Sequence, residues 1–173
     1  MRRTMRAVLA TAAALIISTA LAPAPSSAAG NPHAPSETYR EYRNWATGMC
    51  LGTDNGRTDN GTPIIVWDCN GNPDQQWSAI PQDNDVYYRL HNLANPSKCL
   101  GIWQASGEAG APLTLWDCNS NPDQFWTAWG YGNQIVLINH QTNQVMAMLN
   151  GDTARGTPVI QWLWNGNVDQ RWY

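Results

Sequence analysis

The sequence predicts an all-β protein, a closed barrel with pseudo-threefold symmetry, and three observations carry that prediction. An eleven-residue phrase occurs three times, as WDCNGNPDQQW (67–77), WDCNSNPDQFW (116–126) and WLWNGNVDQRW (162–172). The match extends upstream to GTPIIVW (61–67), GAPLTLW (110–116) and GTPVIQW (156–162), and to Asn44, Asn92 and Asn139. Between these anchors lie short β-branched and aromatic runs without helical periodicity. Trp77, Trp126 and Trp172 are 49 and 46 residues apart, which sets a repeat of about 47 residues. Three units of that size are too few to close a propeller, so a threefold barrel is the better reading.

Taken in order, the chain opens with Arg2, Arg3 and Arg6, an uncharged and mostly apolar run from Ala7 to Leu21, and Ser27-Ala28-Ala29. Those are the three parts of a secretory leader over 1–29. The run is shorter than the roughly 20 apolar residues that span a bilayer. A short tail (30–38) precedes the domain (39–173), with repeats at about 40–87, 88–133 and 134–173. In the repeats, IIVWDC (64–69), VYYRLHN (86–92) and QIVLIN (134–139) read as strands. Asn55-Gly56, Asn60-Gly61, Asn70-Gly71, Asn150-Gly151 and Asn165-Gly166 read as the turns between them. The stretch DNGRTDNG (54–61) lacks the acid spacing of a calcium loop and reads as two successive turns.

Without the leader, seven basic residues face thirteen acidic ones, a net charge of −6, and Lys98 is the one lysine. An acidic domain with no basic stripe has nothing to neutralise phosphates, which excludes nucleic acid and anionic membrane surfaces as partners. Four cysteines in an exported chain favour disulfides over metal. Equal separations favour Cys50–Cys69 and Cys99–Cys118, each closing a loop that contributes about 3 kcal/mol; other pairings remain open at this level. The C-x-x-C spacing of a zinc site is missing, so neither metal nor cofactor is expected. Catalysis is not expected either. His33, His91 and His140 are scattered, G-x-S-x-G and H-E-x-x-H are missing, and the acids recur with the repeat instead of forming one asymmetric pair.

Gln75-Gln76-Trp77, Gln124-Phe125-Trp126 and Gln170-Arg171-Trp172 resemble the Gln-x-Trp triplets of the ricin B-chain type lectin family, in a secreted, actinobacterial-like form. The frame C-L-G … W-D-C-N … D-Q-x-W, with one disulfide in each of the first two repeats, is similar as well. The resemblance covers the whole domain and implies a β-trefoil of twelve strands. It implies that Trp77, Trp126 and Trp172 are core, and that Trp67, Trp116 and Trp162 stand where a ring stacks on a sugar face or else covers the disulfide. Gln75, Gln124 and Gln170 would hold a loop or touch ligand. Val145 and Trp164 fall where the other repeats have cysteines, and are expected to pack against each other, burying apolar area where the other repeats have a bond.

The chain departs from the family where hydroxyls are usually bound. Sugar-binding repeats usually carry an aspartate two residues after the first cysteine, and here Gly52, Gly101 and Ala147 stand there. Loss of a charged acceptor removes much of a hydroxyl-binding site's specificity. Asp74, Asp123 and Asp169 recur in register before the glutamines and either supply the carboxylate from the opposite side or cap a local turn. The expected function is a secreted, non-catalytic, monomeric carbohydrate-binding protein. It would have up to three shallow sites of altered specificity for a polysaccharide or glycan, and no membrane insertion. The alternative is a protein-binding trefoil, such as a protease inhibitor or a toxin or complex subunit, whose sugar sites have lapsed in favour of a secreted protein partner.

Overall fold

The computed structural model describes residues 38–83 and 86–173, so the leader and the first residues of the tail lie outside the described residues. The apolar runs form eleven strands: β1 (Tyr39–Arg40), β2 (Cys50–Thr53), β3 (Thr62–Trp67), β4 (Trp77–Gln82), β5 (Tyr87–Asn92), β6 (Asn95–Ile102), β7 (Leu113–Asp117), β8 (Trp126–Tyr131), β9 (Gln134–Asn139), β10 (Val145–Met148) and β11 (Val159–Trp162). One ring of antiparallel pairs runs β1–β4, β4–β5, β5–β8 and β8–β9, and is closed by Trp172, which bridges both Ile135 and Asn44. The remaining strands form three hairpins, β2–β3, β6–β7 and β10–β11. These join one another through Thr62↔Leu115, Ile65↔Pro158 and Pro112↔Ile160. This is the β-trefoil arrangement.

The strand count is eleven among the described residues, not the twelve expected. Where β4 and β8 run for six residues beginning at the Gln-x-Trp tryptophan, the third repeat has Trp172 and Tyr173. Trp172 still bridges Ile135 on one side and Asn44 on the other, and Tyr173 exchanges two backbone hydrogen bonds with Arg43.

Trp77, Trp126 and Trp172 are fully buried, and each indole N–H donates to a backbone carbonyl of its own repeat: Leu51 (2.9 Å), Leu100 (3.0 Å) and Met146 (3.2 Å). Asn44, Asn92 and Asn139, also fully buried, fasten one repeat to the next. Their amides donate to the carbonyls of Asp169, Asp74 and Asp123 at 2.7–2.8 Å, and their side-chain oxygens accept from Ala46, Ala94 and Gln141. The Asn44 bond ties the first repeat to the last. Satisfied buried amides of this kind fix geometry because leaving one bare costs more than the bond contributes.

Both expected disulfides are formed, Cys50–Cys69 and Cys99–Cys118, and no described cysteine is free. In the third repeat Val145 is buried, and Trp164 sets its ring edge-on to Trp129 (5.7 Å) and Tyr131 (5.9 Å). The ring contacts of Trp164 are thus with β8.

The stretch 54–61 forms two turns, as expected. In the first, Asn55-Gly56 adopts left-handed backbone, as does Asn150-Gly151 in the third repeat. The second repeat holds the same conformation with Gln104 (φ 53°) and Ala105 (φ 50°). A side chain there meets its own backbone, at about 1–2 kcal/mol per residue. Ala105→Gly is therefore expected to raise stability by about 0.5–1 kcal/mol after the added chain entropy is subtracted, read as an increased denaturation midpoint.

Candidate functional site

The second tryptophan series sits at the ends of the hairpins. Trp67, Trp116 and Trp162 pair across their ladders with Cys50, Cys99 and Val145. These tryptophans are 44%, 40% and 41% exposed, which leaves apolar indole surface open for a ligand to cover. Each ring rests on a glycine of a neighbouring repeat. A Cβ on Gly156 would lie 3.5 Å from Trp67, one on Gly61 3.6 Å from Trp116, and one on Gly110 3.3 Å from Trp162. All three glycines have φ between +82° and +92°, so conformation and close approach both require glycine in the G-x-P phrase.

After each tryptophan the chain doubles back through an Asn-x-Asn segment into a short 3-10 turn. Gln75, Gln124 and Gln170 are buried and hold this segment with both ends of the amide. Their oxygens accept from the backbone N–H of Asn70, Asn119 and Asn165 at 2.9–3.0 Å. Their nitrogens donate to the carbonyls of Asp68, Asp117 and Leu163 at 2.8–3.0 Å.

Asp74, Asp123 and Asp169 precede those glutamines and face Gly52, Gly101 and Ala147. A Cβ on Gly52 would lie 3.2 Å from Asp74 Oδ2, and one on Gly101 only 2.8 Å from Asp123 Oδ2. The carboxylate occupies the space that a longer side chain at 52 or 101 would need. The backbone amides of Thr53, Ile102 and Met148 bond these carboxylates, Ile102 at 3.2 Å from Asp123 Oδ2. Burial pushes all three carboxyl pKa values above the ordinary aspartate value, and the backbone bonds oppose the shift.

Tryptophan and aspartate thus line one shallow pocket in each repeat, of 320, 310 and 260 Å³ in chain order. Asparagines complete the lining: Asn70 and Asn72, Asn119 and Asn121, Asn165 and Asn167. Sequence reasoning passed over these, although the thrice-written Asn-x-Asn was the signal. It also left out the rim residues Asn55, Gln104 and Asn150. Each pocket offers an aromatic face, a carboxylate acceptor and amides that both donate and accept, which is the inventory a sugar ring needs.

Other candidates are committed elsewhere. Both groupings of possible metal ligands among the described residues contain the two sulfurs of a disulfide. His91 Nδ1 lies 2.8 Å from the Pro96 carbonyl oxygen, and His140 packs on Tyr87 at 3.9 Å. No helix among the described residues is long and apolar enough to cross a membrane.

The ricin-type β-trefoil lectin domain model matches residues 38–172. The chain belongs to this lectin family. Its fold is similar to the designed threefold-symmetric protein ThreeFoil, with a TM-score of 0.75 and 25% identity over 78% of this chain and 95% of that one. It is also similar to an exo-β-1,3-galactanase from Clostridium thermocellum (TM-score 0.75, 23% identity, 80% of this chain), of which it spans only 30%. A ricin B-like lectin from Macrolepiota procera, in complex with lactose, gives a TM-score of 0.65 at 22% identity over 80% of this chain and 94% of that one. No curated protein matches the chain.

Proposed function

We propose that this lectin-family chain is a secreted, non-catalytic glycan-binding protein. Each repeat would stack a sugar on Trp67, Trp116 or Trp162 and bind its hydroxyls through Asp74, Asp123 or Asp169. The observation that carries the proposal is the threefold recurrence of an exposed indole across a shallow pocket from a desolvated carboxylate. Gln75, Gln124 and Gln170 position the segment through both ends of their amides, and Gln75 and Gln124 also line their pockets. The carboxylate reaches the sugar from the side opposite to the usual one, so specificity differs from the usual galactose pocket. Two disulfides suit an extracellular setting.

Single pockets this shallow bind in the mM range, about −4 kcal/mol, so retention comes from several pockets engaging one polysaccharide. The test is a pull-down of the full-length chain, expressed with its leader, on a panel of insoluble polysaccharides. Wild type is compared with a Trp67→Ala, Trp116→Ala, Trp162→Ala combination. Wild type is expected to be retained and the triple variant lost at unchanged melting temperature. A folded wild type that binds no glycan would transfer the function to a protein partner, for which the exposed Trp129 and Tyr131, packed with Trp164, are the natural surface.

A further inference from the structure

The three pockets are not equivalent, and one difference is the residue that opens the rim turn. The first residue of the rim turn is Asp54 in repeat 1, Trp103 in repeat 2 and Leu149 in repeat 3. Trp103 is 38% exposed and stands beside Trp116, with ring centroids 6.2 Å apart and planes at 71°. Both indoles converge on Gly61, whose Cβ would fall 2.8 Å from Trp103 and 3.6 Å from Trp116. Repeat 2 thus presents two adjoining exposed indoles where repeats 1 and 3 present one, with Trp103 just outside the lining of the pocket.

The rim behind Trp103 is held more firmly than its counterparts. Gln161, fully buried where repeats 1 and 2 have Val66 and Leu115, donates to the carbonyls of Ser106 (2.9 Å) and Glu108 (2.8 Å). Gln141 donates to the Ala105 carbonyl (2.7 Å), Gln144 to that of Gly107 (2.8 Å), and Thr142 to Gln161 Oε1 (2.9 Å). A polar side chain in a hairpin position that is otherwise apolar fixes this one rim. Beside the two rings, Asn60, Asp117 and Lys98 form an exposed network with bonds of 2.6–2.9 Å, a set of donors and acceptors at the outer edge of the corner.

We propose that Trp103 extends the repeat 2 pocket into a second subsite, so that a linear oligosaccharide places one unit against Trp116 and the adjoining unit against Trp103. The inference rests on the reading that the Trp116 pocket binds glycan. It adds that repeat 2 selects chains over single sugars, while repeats 1 and 3 take one unit each.

The test is calorimetric titration of the full-length chain, expressed with its leader, with monomer through tetramer of β-1,3-galactan, β-1,4-xylan and β-1,4-glucan. Wild type is compared with Trp103→Leu and Trp103→Asp, which install the residues that repeats 3 and 1 carry there. In the series that binds, wild type is expected to gain about fivefold to tenfold in affinity at one of its sites on going from monomer to dimer, the value of one added ring contact. Both variants are expected to lose that gain and keep monomer affinity, and Leu149→Trp is expected to confer it on a second site. Retention of the gain in both variants, or monomer binding without any gain in wild type, overturns the proposal and leaves the glycan-binding reading standing. Failure of wild type to bind any sugar overturns both.

Discussion

Trp126→Ala is expected to lower the melting temperature by about 15–25 °C or to leave the domain unfolded. The ring is fully buried, and emptying such a site costs about 3–5 kcal/mol in transfer and cavity terms. The indole N–H is also the donor that satisfies the Leu100 carbonyl, and baring a buried acceptor adds about 1–3 kcal/mol. Trp126 pairs with Tyr88 on one side and Asn139 on the other, so collapse around the cavity would disturb the joint between the second and third repeats. Against a total stability of about 5–15 kcal/mol, the sum takes most of what is available. Trp126→Phe keeps most of the packing and loses the donor, so its midpoint should fall between wild type and alanine. Thermal unfolding followed by circular dichroism checks both, and a Trp126→Ala midpoint within a few degrees of wild type would show that the barrel does not depend on this ring. The same change at Trp116, whose ring is 40% exposed, is expected to leave the midpoint nearly unchanged.

That contrast shows what the sequence made legible. The repeated phrase separated two tryptophan series, and the fold buries one and exposes the other. The turns at Asn-Gly and the two disulfides were also readable, because they are set within a few residues or within one repeat. What was not readable is set between repeats. Trp67 lies over Gly156, and Asn44 bonds Asp169; nothing in a linear reading relates those positions. The strand count failed for a related reason, since Trp172 and Tyr173 pair with two neighbours without enough length to register as a strand. The glutamines stood between loop and ligand in the sequence; their amides bond the loop, and Gln75 and Gln124 also line their pockets. Trp103 matched nothing in the other repeats, and only its place beside Trp116 gave it a role.

Asp74→Asn, Asp123→Asn and Asp169→Asn combined are expected to abolish glycan binding while raising stability at neutral pH. Burial is the largest cause acting on each carboxyl, and it raises the folded pKa above the unfolded one. The native state therefore holds protons to a higher pH than the unfolded chain, and stability falls as pH rises from the unfolded aspartate value through the folded one. At neutral pH the cost of three desolvated carboxylates is present in full. Asparagine keeps an oxygen to accept from Thr53, Ile102 and Met148 and removes the charge, so the pH slope should flatten and the neutral midpoint rise. A carboxylate that only capped its turn would leave binding intact, because asparagine caps as well as aspartate. The same carboxylates predict that wild-type binding weakens on acidification at a pH above the ordinary aspartate range, as the acceptor is protonated. Melting curves from acid to neutral pH, run beside the polysaccharide pull-down, separate the two roles. Gly101 supplies the structural reason: a Cβ there would lie 2.8 Å from Asp123 Oδ2, so a side chain on that wall crowds the carboxylate, while a Cβ on Gly52 would meet Gln75 Cγ at 2.9 Å and Asp74 Oδ2 at 3.2 Å. In the first two repeats glycine on that wall leaves room for the carboxylates of Asp74 and Asp123.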